Sequence, residues 1–501
     1  MSGESAISIT GKMSVSPPPG EEKLEPQHYE DFVEPQITEA HRQYTIERHG
    51  TDQLDPFPDH NDADPYNWPK SKKWLNLSFV AFHGFMATFT ASSIQSAFEN
   101  ISIDLNISIQ QASYLVSLVI AILGAAPIFW RPLANRYGRR PVLLASLVIS
   151  LVANVGCAKS PSYGTMGLCR AIAAFGISPA AALGSGVVKE MFFKHNRGRY
   201  IGIWTVFVTL GVPVSPFLFG FAVLRVSYRW IYWTLAITNG VQLILYFLLG
   251  SETLYIRSQN VEEPKSYARR LVHFRRIDPT PITVWDYVHP FRVGALPCVA
   301  LPAIAHSMVF ALASVLPTVE LPQLYIAQFH QNSQEVGLQF LAVIIGTVLG
   351  EQIGGHLSDR WMKQRRAKTR EFRLWLSYFG YALTITGIVV FLVQLSKAGS
   401  TWNVTPAVGV AILAAGNQIV TTVLITYAVD CHPEEATAIG VFITCARQIW
   451  GFIGPFWFPP LFANVGLVRS VGVLVALIVG ASWLPTLLLQ WKGQRWHRAV
   501  E

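Results

Sequence analysis

Twelve long apolar stretches follow one another along this chain, and their length restricts the folds that it can adopt. A helix needs about 20 apolar residues to cross a hydrocarbon core about 30 Å thick. Because 51% of the residues are hydrophobic and only 14% are charged, the sequence predicts an all-α membrane protein with twelve transmembrane helices. The predicted spans are 75–97, 112–133, 141–158, 164–188, 200–223, 229–250, 294–317, 336–357, 373–396, 405–428, 437–461 and 469–491.

Polar segments divide the chain into five parts. Residues 1–74 are rich in Pro, Glu, Asp and Gln, which predicts a disordered tail. The polar segment 251–293 separates the spans into two six-helix bundles, and it is predicted to be a central linker. The expected organisation is therefore a tail (1–74), an N-terminal bundle (75–250), a linker (251–293), a C-terminal bundle (294–491) and a short tail (492–501).

Lysine and arginine lie mainly in alternate loops. The stretches 131–140, 189–199 and 360–373 are basic, whereas the loops 99–111 and 318–335 contain neither Lys nor Arg. Since positively charged short loops stay in the cytoplasm, both termini and the linker are predicted to be cytoplasmic. The net charge of +8 then reflects topology in a lipid bilayer, and no nucleic-acid partner is expected.

Three sequons fall on the predicted outer side. They are candidate glycosylation sites at Asn100, Asn106 and Asn403. The expected location is the plasma membrane, with the vacuolar membrane as the alternative.

Two basic stretches follow the second span of each predicted half. They read RPLANRYGRRP at 131–141 and GGHLSDRWMKQRR at 354–366, and they form an internal repeat. This pattern resembles the loop signature of the major facilitator superfamily, roughly G-x-L-x-D-R-x-G-R-R. The resemblance implies a conformational latch made by Arg131, Asn135, Arg136, Arg139, Arg140, Asp359 and Arg360.

The first copy of this signature departs from the pattern. Arg131 replaces the usual glycine and Asn135 replaces the usual aspartate, whereas the second copy keeps Asp359. The charge of the first-half latch is therefore missing. The alternative is that these residues only set the topology.

The fifth predicted span contains GVPVSPFLFG, residues 211–220. It resembles the antiporter motif of the same superfamily: Gly211, Pro216 and Gly220 match it, and Ser215 replaces a glycine. A proline bends the helix, and small residues let a neighbouring helix approach closely. A generic kinked packing helix is the alternative.

Further fragments resemble the fungal-type twelve-span drug:proton antiporter subfamily. They include MFFKHNRGRYIGIWT (191–205), SETLYIR (251–257) and YAVDCHPEEAT (427–437). The resemblance implies a secondary active transporter for proton-coupled efflux of small amphipathic molecules such as drugs, toxins or secondary metabolites. Its expected partners are this substrate and protons, and it is expected to work as a monomer. The alternatives are a proton symporter or facilitator that imports small polar solutes, and a non-transporting receptor of the same fold.

Ionisable residues inside predicted spans are costly and become functional candidates by default. The candidates for proton coupling are Glu351, Arg447, Arg170, His83, His306 and Glu320. Because the eighth and eleventh spans are expected to be neighbours, Glu351 and Arg447 are predicted to pair. The pair either carries the proton or is purely structural.

Aromatic and amide residues on cavity-facing spans suggest a substrate surface. The candidates are Phe89, Gln95, Trp204, Gln418, Trp450 and Trp457, with helix packing as the alternative. The sequence contains no nucleotide-binding loop and no catalytic motif, so no enzyme and no cofactor are expected. Its five cysteines lack metal-ligand spacing, and no metal is expected.

Overall fold

The computed structural model describes residues 38–256, 276–357, 360 and 370–498. The chain divides into two compact units, Met1–Asp52 and Gln53–Glu501. The described part of the first unit contains one α-helix, Glu39–His49. Its N-terminus is capped by the Thr38 hydroxyl, and it ends at Gly50, whose φ of 78° lies in the left-handed region that glycine tolerates.

The second unit contains twelve helical segments long and apolar enough to cross a membrane within the described residues, and we number them span 1 to span 12. The predicted number of spans is confirmed. Several helices extend past the apolar stretches because polar residues continue them beyond the hydrocarbon layer. In order, the spans are Lys70–Leu105, Ile109–Tyr137, Arg139–Ala158, Tyr163–Met191, Lys194–Arg225, Arg229–Leu249, Pro297–Phe329, Ser333–Gly355, Arg370–Lys397, Thr405–Cys431, Pro433–Val465 and Leu467–Gly493.

Several spans are interrupted, often where proline or a wide turn breaks the regular hydrogen-bond ladder. Span 4, for example, changes from Tyr163–Ile177 to Pro179–Met191, and Pro179 occupies the first position of the second helix. The other interrupted spans consist of Lys70–Ser92, Gln95–Ala97 and Phe98–Leu105 (span 1); Pro297–Phe310, the π-helix Ala311–Val315 and Leu316–Phe329 (span 7); Ser333–Gln352 and the π-helix Ile353–Leu357 (span 8); Arg370–Leu374 and Trp375–Lys397 (span 9); Pro433–Glu435 and Ala436–Val465 (span 11); and Leu467–Ile478, the π-helix Val479–Trp483 and Leu484–Arg498 (span 12).

The segment before span 1 is built into the second unit, which differs from the disordered tail predicted over 1–74. A short 3₁₀ helix, Pro65–Asn67, is capped by the buried side chain of Asp64. The hydroxyl of Tyr66 donates a hydrogen bond of 2.5 Å to the carbonyl of Lys189, and the Lys73 ammonium donates one of 2.8 Å to the carbonyl of Tyr66. The aromatic side chains in this polar segment bury apolar surface, and this burial favours order.

The spans pack as two bundles, with extensive contacts inside each. Span 1 packs on span 5 and span 3 on spans 4 and 6 in the first bundle, and span 10 packs on spans 8 and 9 in the second. The two bundles meet where span 5 contacts span 8 and where span 2 contacts span 11. A helix before span 7, Val284–Gly294, packs against spans 2 and 11.

We name the two ends of this bundle pair by their residues. The basic end holds the loops 131–140 and 189–199, and the sequon end holds Asn106 and Asn403.

Candidate transport site

The two bundles touch closely at the sequon end. The side chain of Gln110 on span 2 donates a hydrogen bond of 2.7 Å to the carbonyl of Pro455 on span 11. One turn further along span 2, the rings of Tyr114 and Phe456 stack at 4.6 Å. Because these contacts join the two bundles, they hold the sequon end closed in this conformation.

Spans 5 and 8 close the same end through small residues. A Cβ atom built on Gly220 would lie 2.6 Å from the carbonyl oxygen of Ser333, and one built on Gly337 would lie 2.9 Å from that of Pro216. Only glycine allows so close an approach of two helix backbones. Gly211 faces span 1 instead, where a Cβ atom would lie 2.1 Å from the Thr88 hydroxyl oxygen. The residues predicted to form an antiporter-like kink therefore form two tight helix contacts.

Ser215 takes no part in a side-chain hydrogen bond within the described residues. Its hydroxyl is fully buried and has no partner there. The structure therefore gives this member of the predicted kink no polar role.

Spans 5 and 8 separate further toward the basic end. They leave a crevice, which Val206, Thr209, Thr347, Glu351 and Gln352 help to line. Glu351 is the ionisable residue of this crevice.

The contacts of Glu351 differ from the predicted pair with Arg447. A carboxylate oxygen of Glu351 accepts a hydrogen bond of 2.9 Å from the side-chain nitrogen of Gln418 on span 10. Span 8 packs against spans 5 and 10. Among the described residues, span 11 is not a main packing partner of span 8, and the expected ion pair between Glu351 and Arg447 is wrong for this conformation.

Arg447 lies near the middle of span 11, beside span 7. Its guanidinium carbon sits 5.0 Å from the centre of the Phe310 ring. His306, one turn from Phe310, shares a hydrogen bond of 3.1 Å with the hydroxyl of Thr421. Arg447 and His306 thus belong to one polar cluster between spans 7, 10 and 11.

Glu320 occupies the half of span 7 that leads to the sequon end. Its side chain is 2% exposed. One oxygen accepts a long hydrogen bond of 3.4 Å from Gln323, and the other has no partner among the described residues. This part of span 7 contacts the short helix Gln95–Ala97 of span 1. Glu320 and the buried Gln95 are therefore both on elements that meet where the sequon end is closed.

His83 and Arg170 are bonded within the first bundle. His83 shares a hydrogen bond of 3.2 Å with Ser146 on span 3. Arg170 donates to the carbonyl oxygens of Leu115 and Ala91 and to the hydroxyl of Tyr232, each at 3.3 Å. Because these acceptors lie on spans 1, 2 and 6, Arg170 ties the bundle together.

The first basic loop is held by acidic residues that the motif comparison missed. Arg136 forms ion pairs with Asp278 at 2.5 Å and Asp286 at 3.6 Å, and both aspartates precede span 7. Arg139 pairs with Glu190 at 2.8 Å and also donates to the side-chain oxygen of Asn135 at 2.7 Å. Acidic side chains from other segments thus pair with the arginines of this loop, in place of the aspartate that is missing at position 135.

Glu252 caps the N-terminus of span 3. Its carboxylate accepts hydrogen bonds from the backbone N–H groups of Arg139 and Arg140, at 2.8 and 2.9 Å, and of Thr253 and Leu254. Burial raises the pKa of this carboxyl, and the backbone hydrogen bonds oppose the rise. The SETLYIR fragment contained this residue, but nothing in the sequence indicates which helix it caps.

Three members of the latch remain. Arg131 is partly buried at the end of span 2, and Arg360 is exposed. Asp359 lies outside the described residues.

The residues predicted to form one substrate surface lie in different surroundings. The Phe89 ring is buried 5.2 Å from the rings of Phe85 and Phe219, and the Trp204 indole fills the space beside Gly184. These two side chains make helix contacts.

The remaining aromatic candidates lie on span 11. Trp457 is partly buried and packs against Phe458 at 4.6 Å, whereas Trp450 is 39% exposed. Among the amides, Gln418 joins the polar groups through its bond to Glu351.

The three sequons differ in their surroundings. Asn106 and Asn403 are exposed, and Asn106 has a left-handed backbone with φ of 51°. The side-chain oxygen of Asn100 accepts a hydrogen bond of 2.7 Å from the hydroxyl of Ser333 on span 8. Asn100 is therefore engaged between the bundles and is only partly exposed, unlike the other two sequon asparagines.

Twelve spans in two bundles that close at one end define a multi-pass membrane transporter. A family model described as Major Facilitator Superfamily matches residues 80–455. The chain belongs to this family, whose members are transporters and not enzymes, and the resemblance stated from the loop motifs is confirmed.

Individual relatives are distant but cover most of the chain. "Efflux pump vrtL" of Penicillium aethiopicum is 25% identical over 84% of this chain and 85% of its own length. "Multidrug transporter AQR1" of Candida glabrata is 27% identical over 63% of this chain and 56% of its own length. Among solved structures, the xylose transporter XylE from E. coli, in a partially occluded inward open conformation, matches with a TM-score of 0.59 and 14% identity, over 84% of this chain and 98% of that chain. The last similarity supports the fold alone.

Proposed function

We propose that the protein exports small amphipathic molecules from the cytoplasm in exchange for protons, working as a monomer in the plasma membrane. The basic end faces the cytoplasm in this proposal. Relatives with names such as efflux pump and multidrug transporter support the direction and the kind of substrate. The two tight contacts of the antiporter-like kink, at Gly211 and Gly220, support the exchange mode.

The uneven contact between the bundles carries the proposal. Spans 5 and 8 touch through backbone at Gly220 and Gly337, whereas further toward the basic end they leave the crevice lined by Glu351. An exporter needs a conformation that is closed outside while its substrate loads from inside. Opening the sequon end and closing the basic end would then release the substrate outside.

Glu351 is the proton carrier in this proposal. It lines the crevice and bonds to Gln418, so its protonation state is coupled to the contact between spans 8 and 10. Ionisable groups inside a membrane persist mainly where they have a role. Glu320 is buried where spans 1 and 7 meet and is not among the residues that line the crevice. It is therefore the second candidate for the proton carrier.

The test measures transport into inside-out membrane vesicles. Amphipathic dyes of negative, neutral and positive charge are offered outside, and the lumen is made acidic. We expect at least one dye to accumulate and to leave when a protonophore collapses the gradient. Loss of preloaded dye driven by the same gradient would identify an importer, and equilibration without a gradient would identify a facilitator.

Glu351→Gln tests the carrier. It should abolish gradient-driven accumulation but preserve exchange of labelled for unlabelled dye, because exchange returns the carrier without a proton. Glu434→Gln is the matched control, since Glu434 is exposed at the basic end. Intact gradient-driven accumulation in well-folded Glu351→Gln protein would exclude Glu351 and move the test to Glu320→Gln.

A further inference from the structure

Arg447 is a partly buried cation within span 11, and its Nε is buried without a hydrogen-bond partner in the described part of the chain. No group in the described part of the chain accepts a hydrogen bond from its guanidinium, and no carboxylate there forms an ion pair with it. Its guanidinium carbon lies over the Phe310 ring, 5.0 Å from the ring centre, in a cation–π contact. A guanidinium has five N–H donors in a planar fork. The buried Nε donor has no acceptor among the described residues, which costs free energy, and a ligand that supplies an acceptor would relieve this cost.

Arg170 shows what a structural arginine looks like in the same molecule. It also lies within a span, but the scaffold supplies three acceptors, from Leu115, Ala91 and Tyr232. The bundle around Arg447 supplies none of these. The two arginines thus differ in whether the described residues supply hydrogen-bond acceptors to the guanidinium.

The surroundings of Arg447 indicate the chemistry of the missing partner. Phe310 offers an aromatic face beside the cation, and the ring nitrogen Nδ1 of the neighbouring His306 has no partner within the described residues. Glu351, the counter-ion expected from the sequence, is bonded to Gln418 instead. An anionic group attached to a flat apolar body would use both the fork and the ring.

We infer that the transported molecules are organic anions, each with an acidic group that binds the Arg447 guanidinium and a flat apolar part that packs on Phe310. The inference rests on the proposed function, because it names the substrate class for the same transport site. A carboxylate, sulfonate or acidic phenol would each supply a negative charge and at least one oxygen acceptor for the guanidinium.

The experiment compares three probes that share one ring system. They are 2-naphthalenesulfonate, 2-naphthalenesulfonamide and 2-naphthyltrimethylammonium, so the charge changes and the flat body does not. Binding to the purified full chain in nanodiscs is measured by competition with a radiolabelled sulfonate. We expect the sulfonate to bind at least about tenfold tighter than the amide or the cation, which corresponds to one charge-assisted contact.

Variants then assign the preference to Arg447. Arg447→Gln should remove the preference for the sulfonate. Arg447→Lys should retain it with several-fold weaker binding, because an ammonium cannot make the forked contact. Arg225→Gln removes the same charge from an exposed position of span 5 and should change nothing. If Arg447→Gln does not fold, the probe order on the wild type and on Arg447→Lys still decides the question.

Two results would overturn the inference. One is equal or tighter binding of the cation to the wild type, and the other is an unchanged sulfonate preference in folded Arg447→Gln. Vesicle transport separates this failure from failure of the proposed function. Proton-driven accumulation of the cation but not of the sulfonate would leave an exporter with a different substrate class, whereas transport of all probes without any response to the gradient would overturn proton-coupled export.

Discussion

At the scale of single residues, the acceptors around a buried charge separate a scaffold role from a ligand role. Arg170 donates to backbone and side-chain oxygens on three other spans, so the fold itself supplies its hydrogen-bond acceptors. A residue of this kind contributes to stability in every conformation in which those spans stay together. Its loss should therefore be felt in unfolding and hardly in substrate recognition.

We predict that Arg170→Met lowers the thermal unfolding temperature and leaves substrate binding nearly intact. Methionine has about the length of the apolar part of arginine, but it cannot donate the three hydrogen bonds. Their loss should lower the free energy of unfolding by about 2 kcal/mol. Thermal unfolding in detergent, compared with Arg225→Gln, measures the effect. An unchanged unfolding temperature with lost binding would instead place Arg170 in the substrate site.

At the scale of helices, glycine decides how closely spans 5 and 8 approach. The contact at Gly220 and Gly337 has no room for a side chain on either helix. Since this contact lies at the sequon end, anything that widens it should favour a conformation in which that end is open. Gly440 on span 11 provides a control, because a Cβ atom built there meets nothing within 4 Å.

We predict that Gly337→Val opens the sequon end. Ser96→Cys is nearly isosteric and reports on the opening, because Ser96 is buried in the closed end of span 1. A thiol reagent should label Ser96→Cys slowly in the parent protein and at least about tenfold faster with Gly337→Val, if valine shifts a two-state equilibrium by about 1.4 kcal/mol. Gly440→Val should leave the labelling rate unchanged. Equal rates in all three proteins would show that this glycine contact does not control closure.

The basic loop behaves as a second element, joined to the segment before span 7. Arg136 pairs with Asp278 and Asp286, and its carbonyl also accepts hydrogen bonds from the backbone N–H groups of Ile277 and Asp278. These contacts fix the segment against the end of span 2. They are well shielded, since the Arg136 and Asp278 side chains are 17% and 14% exposed.

We predict that Arg136→Gln and Asp278→Asn destabilise the protein by amounts that do not add. If the two side chains act mainly on each other, a double-mutant cycle should give a coupling of about 1 kcal/mol in thermal unfolding. Asn135→Ala should have a smaller effect, because Asn135 is neutral and, among the described residues, its side chain bonds only to Arg139 in its own loop. Strict additivity of the Arg136 and Asp278 variants would contradict the pairing.

At the scale of the whole molecule, the number of spans follows from sequence because it depends on local length and hydrophobicity. The partners of charged side chains do not follow in this way. Glu351 was expected beside Arg447, yet it bonds to Gln418, because its neighbour is set by how spans 8 and 10 pack. Likewise, the acids that meet Arg136 come from residues more than a hundred positions away, and no local pattern identifies them.

The orientation of the whole chain in the membrane is the remaining global property, and it rests on the distribution of basic residues. Arg199→Cys at the basic end and Asn106→Cys at the sequon end are both at exposed positions. On intact cells, an impermeant thiol reagent should label Asn106→Cys and not Arg199→Cys, and permeabilised cells should label both. The parent protein is the baseline, because four of its five cysteines are buried.

Glycosylation gives a second and independent reading of the same orientation. Carbohydrate is added only on the side away from the cytoplasm, so Asn106→Gln or Asn403→Gln should increase electrophoretic mobility if those exposed sequons are modified. Asn100→Gln should not change mobility, because the Asn100 side chain is bonded to Ser333 between the bundles. Labelling of Arg199→Cys on intact cells would reverse the topology. The crevice of Glu351 would then lie toward the outside in this conformation, and the vesicle assay would still decide the direction of transport.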